Sequence, residues 1–234
     1  MTEAIEQSAA PALKLAAELS DEQIVERVRA GEQHLFEILM RRHNPQVYRA
    51  ARSIVHDDGE AEDVMQDAYV RAYEHLGEFE GRSRFSTWVT RIAVHEALAR
   101  ARRSKRYDTF DAGEEGPSMP AAPVATPEQQ TSDSEMRRLL EQAVSALPEE
   151  FRSVFVLRAV HGMNGAEVAD CLGLEEATVK TRLFRARGRL RDLLEAAGGA
   201  AVGAVYDFHL SRCDRVVAAV LRRIAGAPRP PSGG

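Results

Sequence analysis

The chain has 234 residues and a net charge of −5, from 31 Lys and Arg against 36 Asp and Glu. That length suits one large or two small domains, and two cysteines are too few for a disulfide framework. No apolar run is long enough to span a bilayer, and Glu3 and Glu6 stand where a signal peptide would be basic, so a soluble, cytoplasmic protein is expected.

Aromatics make up only 6% of the residues, whereas Ala, Leu, Arg and Glu abound and no run alternates β-branched residues. The expectation is therefore an all-α protein. Residues 1–19 read as a loosely ordered N-terminus in which ALKLAAEL could form a short helix. Ser20 with Gln23 offers a capping box, and the helix it starts stops at Gly31. A longer helix follows through HLFEILMRRHNPQVYRAARSIV, which Pro45 either kinks or breaks. EAEDVMQDAYVRAYEHL is a helix that is acidic at its start. GEFEGRSR is a turn holding Gly77 and Gly81, and FSTWVTRIAVHEALARARRSKR is a helix that grows basic towards its end.

Charge is unevenly spread. Arg82 to Arg106 holds eight cations against one acid, Glu96, whereas Tyr107 to Glu135 holds seven acids and no Lys or Arg. The local field governs binding, so the acidic total is a weak objection to a nucleic-acid partner. Residues 107–133 contain four prolines and little hydrophobic periodicity, the composition of a flexible acidic linker. That linker divides two small helical domains, at 20–106 and 134–197, followed by a C-terminal extension at 198–234.

Within the second domain, Leu147-Pro148-Glu149-Glu150 starts a helix with Pro at its first position, and Gly162 ends it. Asn164 and Glu167 form a capping box for the next helix, and Gly173 falls where the chain must leave it in a left-handed conformation. The helix beyond carries six cations between Thr178 and Arg191 and no acid among them. At 100° per residue, Val179, Leu183, Ala186 and Leu190 form one apolar stripe. Thr181, Phe184, Arg185 and Gly188 lie opposite, flanked by Lys180, Arg187 and Arg191. An apolar back and a cationic front describe a helix-turn-helix whose second helix can enter a major groove. Gly188 in mid-helix costs about 1 kcal/mol relative to Ala, so close backbone approach or tolerated drift must explain it.

In the extension, Val216, Val217, Val220, Leu221 and Ile224 form an apolar stripe on a short helix expected to pack on the second domain or on a partner. His209 and Cys213 have an i, i+4 spacing that two metal ligands could use. No further Cys/His cluster stands nearby, so a packed Cys beside a surface His is favoured, with neither metal nor cofactor.

Taken together, EAEDVMQDAYVRAYEHLGEFEGRSRFSTWVTRIA at 60–93 and LPEEFRSVFVLRAVHGMNGAEVADCLGLEEATVKTRLFRARGRL at 147–190 resemble the extracytoplasmic-function (ECF) group of bacterial sigma factors. With the helices from about residue 20, the resemblance covers some 150 residues in the family's order. It implies a sigma factor that binds core RNA polymerase, at its β′ clamp helices and its β subunit, and directs promoter recognition and initiation in a stress or signal response, with an anti-sigma protein as a further partner. The acidic helix would dock on the clamp helices of the polymerase β′ subunit through Gln66 and Asp67, with Asp63 one turn earlier and Arg71 and Tyr73 further on. The physical logic is that Asp57, Asp58, Glu60, Glu62 and Asp63 complement a basic partner surface. Otherwise the same acids simply favour a helix dipole.

The turn that follows, Glu78 to Ser86, corresponds to the loop receiving a base flipped from the downstream (−10) element, which makes Arg82, Arg84, Phe85 and Ser86 candidates. Arg91, His95, Arg102 and Arg106 would continue that surface along the next helix. Family members usually carry Asn where this chain has His95, and imidazole offers one group per edge, so the family's downstream preference is not expected to transfer. Trp88, with Val89, Ile92 and Ala93, reads as core rather than as a melting wedge. For the upstream (−35) element the resemblance points to Lys180, Thr181, Phe184 and Arg185, with Arg187 and Arg191 on the phosphate backbone. The linker would thread the polymerase near the RNA exit path.

Two rival readings are an autonomous helix-turn-helix regulator, which has no use for QDAYVRAYEHL or RFSTW, and a sigma-like decoy for an anti-sigma factor, which has no use for Lys180, Arg182 and Arg185. No paired carboxylates, phosphate loop or nucleophile constellation points to an enzyme.

Overall fold

The computed structural model describes residues 18–110, 132–196 and 210–225. Every element among them is helical. The ALKLAAEL segment, residues 111–131 of the linker, and His209 lie outside the described residues. Contacts gather the described residues into two units. The first comprises 18–47, 62–93 and 210–225; the second comprises 48–61, 94–110 and 132–196.

In the first unit, α1 (Asp21–Arg29) begins with the expected reciprocal cap. Ser20 Oγ accepts from the Gln23 amide and Gln23 Oε1 accepts from the Ser20 amide. Its apolar stripe of Ile24, Val25 and Val28 is fully buried. The next helix, α2 (Phe36–Arg52), runs unbroken through Pro45, so the ring's missing N–H is absorbed within the helix rather than ending it. Arg42 and His43 of α2 hold α1 by hydrogen bonds of 2.9 and 2.7 Å to Asp21. Burial raises the pKa of that carboxyl, but the two hydrogen bonds outweigh it and the net shift is downward.

Helix α3 (Asp58–Glu74) presents Val64, Met65, Ala68, Tyr69 and Ala72 to the core. Phe36 stacks edge-on against both Tyr69 and Tyr73, at 6.2 and 5.5 Å between ring centres. Helix α4 (Phe85–Phe110) begins in an aromatic cluster of Phe79, Phe85 and Trp88, with ring centres 5.5 to 5.7 Å apart. Trp88 is thus a half-buried packing residue, and with Val89 and Ala93 fully buried the core reading of this segment holds.

In the second unit, α5 (Ser132–Ser145) precedes α6 (Glu149–Phe155), whose last turn widens into a π-helical turn over Val156–Val160. Gly162 ends this stretch as its place in the sequence suggests, and it does so with φ +66°, in the left-handed region. Arg152 of α6 has no exposed surface at all. Its Nε donates to the Ser53 carbonyl at 2.7 Å, and Nη1 donates to the carbonyls of Ser145 and Leu147, each at 3.1 Å. Backbone carbonyls therefore replace the water this guanidinium gave up.

Helices α7 (Gly165–Leu172) and α8 (Glu176–Ala196) complete the unit, and α9 (Leu210–Ile224) is the terminal helix. The expected stripe on α9 is buried at Val216, Val217, Val220 and Ile224, with Leu221 half-buried. Its place corrects the expectation of packing on the second domain: α9 lies on the first unit, against α2 and α3.

Candidate nucleic-acid and polymerase interfaces

The helix-turn-helix is assembled by local signals that the geometry meets one by one. Asn164 Oδ1 accepts from the Glu167 amide at 2.9 Å, and Glu167 Oε2 accepts from the Asn164 amide at 2.7 Å, closing the box that starts α7. Gly173 ends α7 at φ +64° and ψ +41°, a conformation that penalises any Cβ. A Cβ on Gly165 would stand 2.6 Å from Glu176 Oε1, so a side chain at the first turn of α7 would require the exposed Glu176 side chain to shift.

On α8, Val179, Ala186 and Leu190 are buried, with Leu183 half-buried beside them. Lys180, Thr181, Phe184, Arg185, Arg187 and Arg191 are all exposed. Phe184 is 80% exposed, an unusual position for a large aromatic ring in a folded domain and one suited to contact with bases. The Thr181 hydroxyl donates back to the Ala177 carbonyl at 2.9 Å, which leaves its lone pairs to accept from a base or bridging water. The remaining two cations point elsewhere. Arg182 reaches Glu150 of α6 at 3.3 Å, and the Arg189 guanidinium lies 5.0 Å over the Phe151 ring. Among the described residues Gly188 has no heavy atom within 4 Å of its missing Cβ, so close packing there does not account for it.

The turn before α4 is anchored by a residue that sequence reasoning missed. Arg29 Nε donates to the Leu76 carbonyl at 3.0 Å and Nη2 donates to the Phe79 carbonyl at 2.6 Å. Beyond that anchor, Gly81 turns with φ +71°, and Arg82 and Arg84 are exposed, Arg82 paired with Glu80. Ser86 is half-buried at the first turn of α4, Arg91 is half-buried, and His95 and Arg102 are exposed further along. The side chain of Arg106 lies outside the described residues. Phe85 departs from its expected role. It is fully buried against Phe79, Trp88 and the His43 ring, so it has no face to offer a flipped base and serves as the floor of the turn.

On α3, Asp63 and Arg71 are exposed and Gln66 and Asp67 half-buried, along one side of the helix. Tyr73 departs in the same way as Phe85: it is buried at 3% exposure against Phe36, supporting the helix rather than meeting a partner. Asp67 accepts from Arg223 of α9 at 2.8 Å.

Comparison with known proteins settles the family. Residues 39–107 match sigma-70 region 2, and residues 137–190 match sigma-70 region 4. The RNA polymerase sigma-H factor of Pseudomonas aeruginosa is 33% identical over 181 residues, spanning 75% of this chain and 94% of that protein. The chain belongs to the ECF sigma factors. The ECF RNA polymerase sigma-E factor of Escherichia coli is 32% identical to this sigma factor over 179 residues, 74% of this chain and 93% of its own. Among solved structures it is similar to the sigma factor RpoE of Bartonella quintana in complex with the anti-sigma factor NepR. There the TM-score is 0.54 at 25% identity, over 70% of this chain and 96% of that one. CnrH in complex with the cytosolic domain of CnrY is a second neighbour, with TM-score 0.50 and 27% identity over 75% and 97% of the two chains.

The described residues of this sigma factor bring together no three His, Cys, Asp or Glu side chains that could hold a metal ion. Cys213 is buried, its sulfur accepting from Asn44 Nδ2 at 3.1 Å. None of the described helices is long and apolar enough to cross a membrane.

Proposed function

We propose that this ECF sigma factor is the dissociable subunit that joins core RNA polymerase, directs it to promoters and helps open them, without itself changing a covalent bond. The segment 20–106 docks on the polymerase clamp helices through Asp63, Gln66, Asp67 and Arg71 of α3. The same segment holds the −10 element through Arg82, Arg84 and Ser86 of the turn and through Arg91, His95, Arg102 and Arg106 of α4. The segment 134–197 reads the −35 element with α8. There Lys180, Thr181, Phe184 and Arg185 meet bases or phosphates, and Arg187 and Arg191 neutralise the phosphate backbone. Tyr73 and Phe85 act from the core as supports. An anti-sigma protein masking these surfaces is a further partner, and the nucleoid is the site of action.

The observation that carries this reading is α8. It buries an apolar stripe on its own domain and leaves an 80%-exposed phenylalanine flanked by exposed cations on the opposite side, in a chain of the sigma family. Reconstitution with core polymerase on fragmented genomic DNA tests it. Discrete start sites that depend on the added chain are expected, with Arg185→Ala lowering transcript yield while core association stays intact. Tight, specific duplex binding without core, and no start sites with it, would instead identify an autonomous helix-turn-helix regulator.

A further inference from the structure

The terminal helix contacts one edge of the α3 face to which polymerase docking is assigned, at Glu62 and Asp67, while Asp63 and Arg71 stay exposed beside it. Arg212 and Arg215 of α9 each reach Glu62 at 2.8 Å, and Arg223 reaches Asp67 at 2.8 Å. These two acids bracket Asp63 and Gln66 on α3. From the other side, Arg41 of α2 pairs with Asp214 at 2.6 Å, and Gln33 Nε2 donates to the Ile224 carbonyl at 2.7 Å. Beneath these contacts Cys213, Val216, Val217, Val220 and Ile224 are buried. A cationic helix with an apolar seam thus takes up two of the acids that a basic polymerase surface would use, through the same charge complementarity.

We propose that α9 is a built-in competitor of core polymerase, engaging Glu62 and Asp67 at the edge of the docking face of α3 and leaving them when core binds. The proposal rests on the assignment of Asp63, Gln66 and Asp67 to core docking. Being part of the same chain, α9 faces α3 at an effective concentration on the order of millimolar, so core must outcompete a partner that is always present. Apparent core affinity is then reduced by the fraction of molecules in which α9 has vacated the face. That arrangement raises the apparent Kd for core by a constant factor, and anything that lifts α9 raises the share of chains bound to core.

The test uses the full chain. Arg215→Glu with Arg223→Glu sets like charge against Glu62 and Asp67 while leaving the apolar seam intact. The double variant is expected to bind core at least about ten-fold more tightly than the native chain, the shift that follows if about nine native chains in ten have α9 in place. Unchanged or weaker core binding overturns the proposal. The second readout is the native chain itself, which requires no variant to fold. Alkylation of Cys213 by iodoacetamide, followed by peptide mass spectrometry, should be slow in the isolated chain and rise at least ten-fold with saturating core. Continued protection of Cys213 in the holoenzyme shows that α9 stays in place and overturns the proposal. A third arm separates this failure from failure of the docking assignment. Asp63→Arg with Gln66→Arg, placed on the charge-reversed background, should abolish core binding. If it does not, the docking face lies elsewhere and both readings fall. If it does while α9 reversal has no effect, only the competitor role is refuted.

Discussion

Two arginines two residues apart on α8 should behave oppositely towards DNA. Both are exposed, but Arg187 stands on the outer side of the helix whereas the Arg189 guanidinium lies over the Phe151 ring, 5.0 Å from its centre. Each cation that neutralises a phosphate releases a counterion and contributes about 0.9 to the slope of log affinity against log salt. Arg187→Ala should therefore lower that slope by about 0.9, and Arg189→Ala by about 0.2 or less. Between about 50 and 200 mM salt, losing one such contact changes the affinity ratio by about 3.5-fold, well within the reach of an equilibrium titration. The assay is fluorescence anisotropy of the holoenzyme on a duplex recovered by its own genomic selection, titrated across that salt range. Equal slopes for the two variants would refute the orientation assigned to α8. A larger loss at Arg189 would mean that the helix binds by the side here described as packed on α6.

Arg152→Met should cost about 3 kcal/mol in urea denaturation, because it strips the buried carbonyls of Ser53, Ser145 and Leu147 of a shared donor; a loss under about 1 kcal/mol would show that water takes its place. Gly188→Ala should stabilise the chain by about 1 kcal/mol, since the added methyl meets nothing within 4 Å, and no gain in denaturation midpoint would contradict this. His161 has both ring nitrogens enclosed without a hydrogen-bond partner among the described residues, although part of the residue reaches the surface. Burial first, and the Arg49 charge second, push its pKa down to about 3. The unfolded chain binds this proton below its ordinary pKa of 6.5 and the folded chain does not. The contribution is thus whole above that value and is lost, by about 1.4 kcal/mol per pH unit, as pH falls towards 3. Denaturation from pH 7 to 5 should show a smaller acid loss in His161→Phe than in the native chain; identical curves would refute it.

What the sequence made legible were features whose cause lies within a few residues. The boxes at Ser20 and Asn164, the helix end at Gly162, the left-handed exit at Gly173, and the two sides of α8 each depend on spacing alone, and each is present in the fold. What it concealed depends on residues distant in the chain. Arg152 reads as an ordinary surface cation until Ser53, ninety-nine positions away, supplies its acceptor. Tyr73 and Phe85 sit in motifs that suggest contact, yet the packing of Phe36, Phe79 and Trp88 decides that they are interior. The apolar stripe of α9 was plain, but a stripe states only that a helix is covered. Which surface covers it was settled by Glu62, Asp67, Asn44 and Gln33, none of them near it in sequence.

The grip of α6 on α8 has a thermodynamic corollary. Arg182 and Arg189 stand seven residues apart, about two helical turns, and hold α8 to Glu150 and Phe151 at both points. Each tether is individually weak. Together they spend two of the six α8 cations on fixing the helix's pitch before any ligand arrives, so less freedom remains to be surrendered on entering a groove. Attraction is traded for rigidity: fewer charges pull on the duplex, but those that do are already aimed.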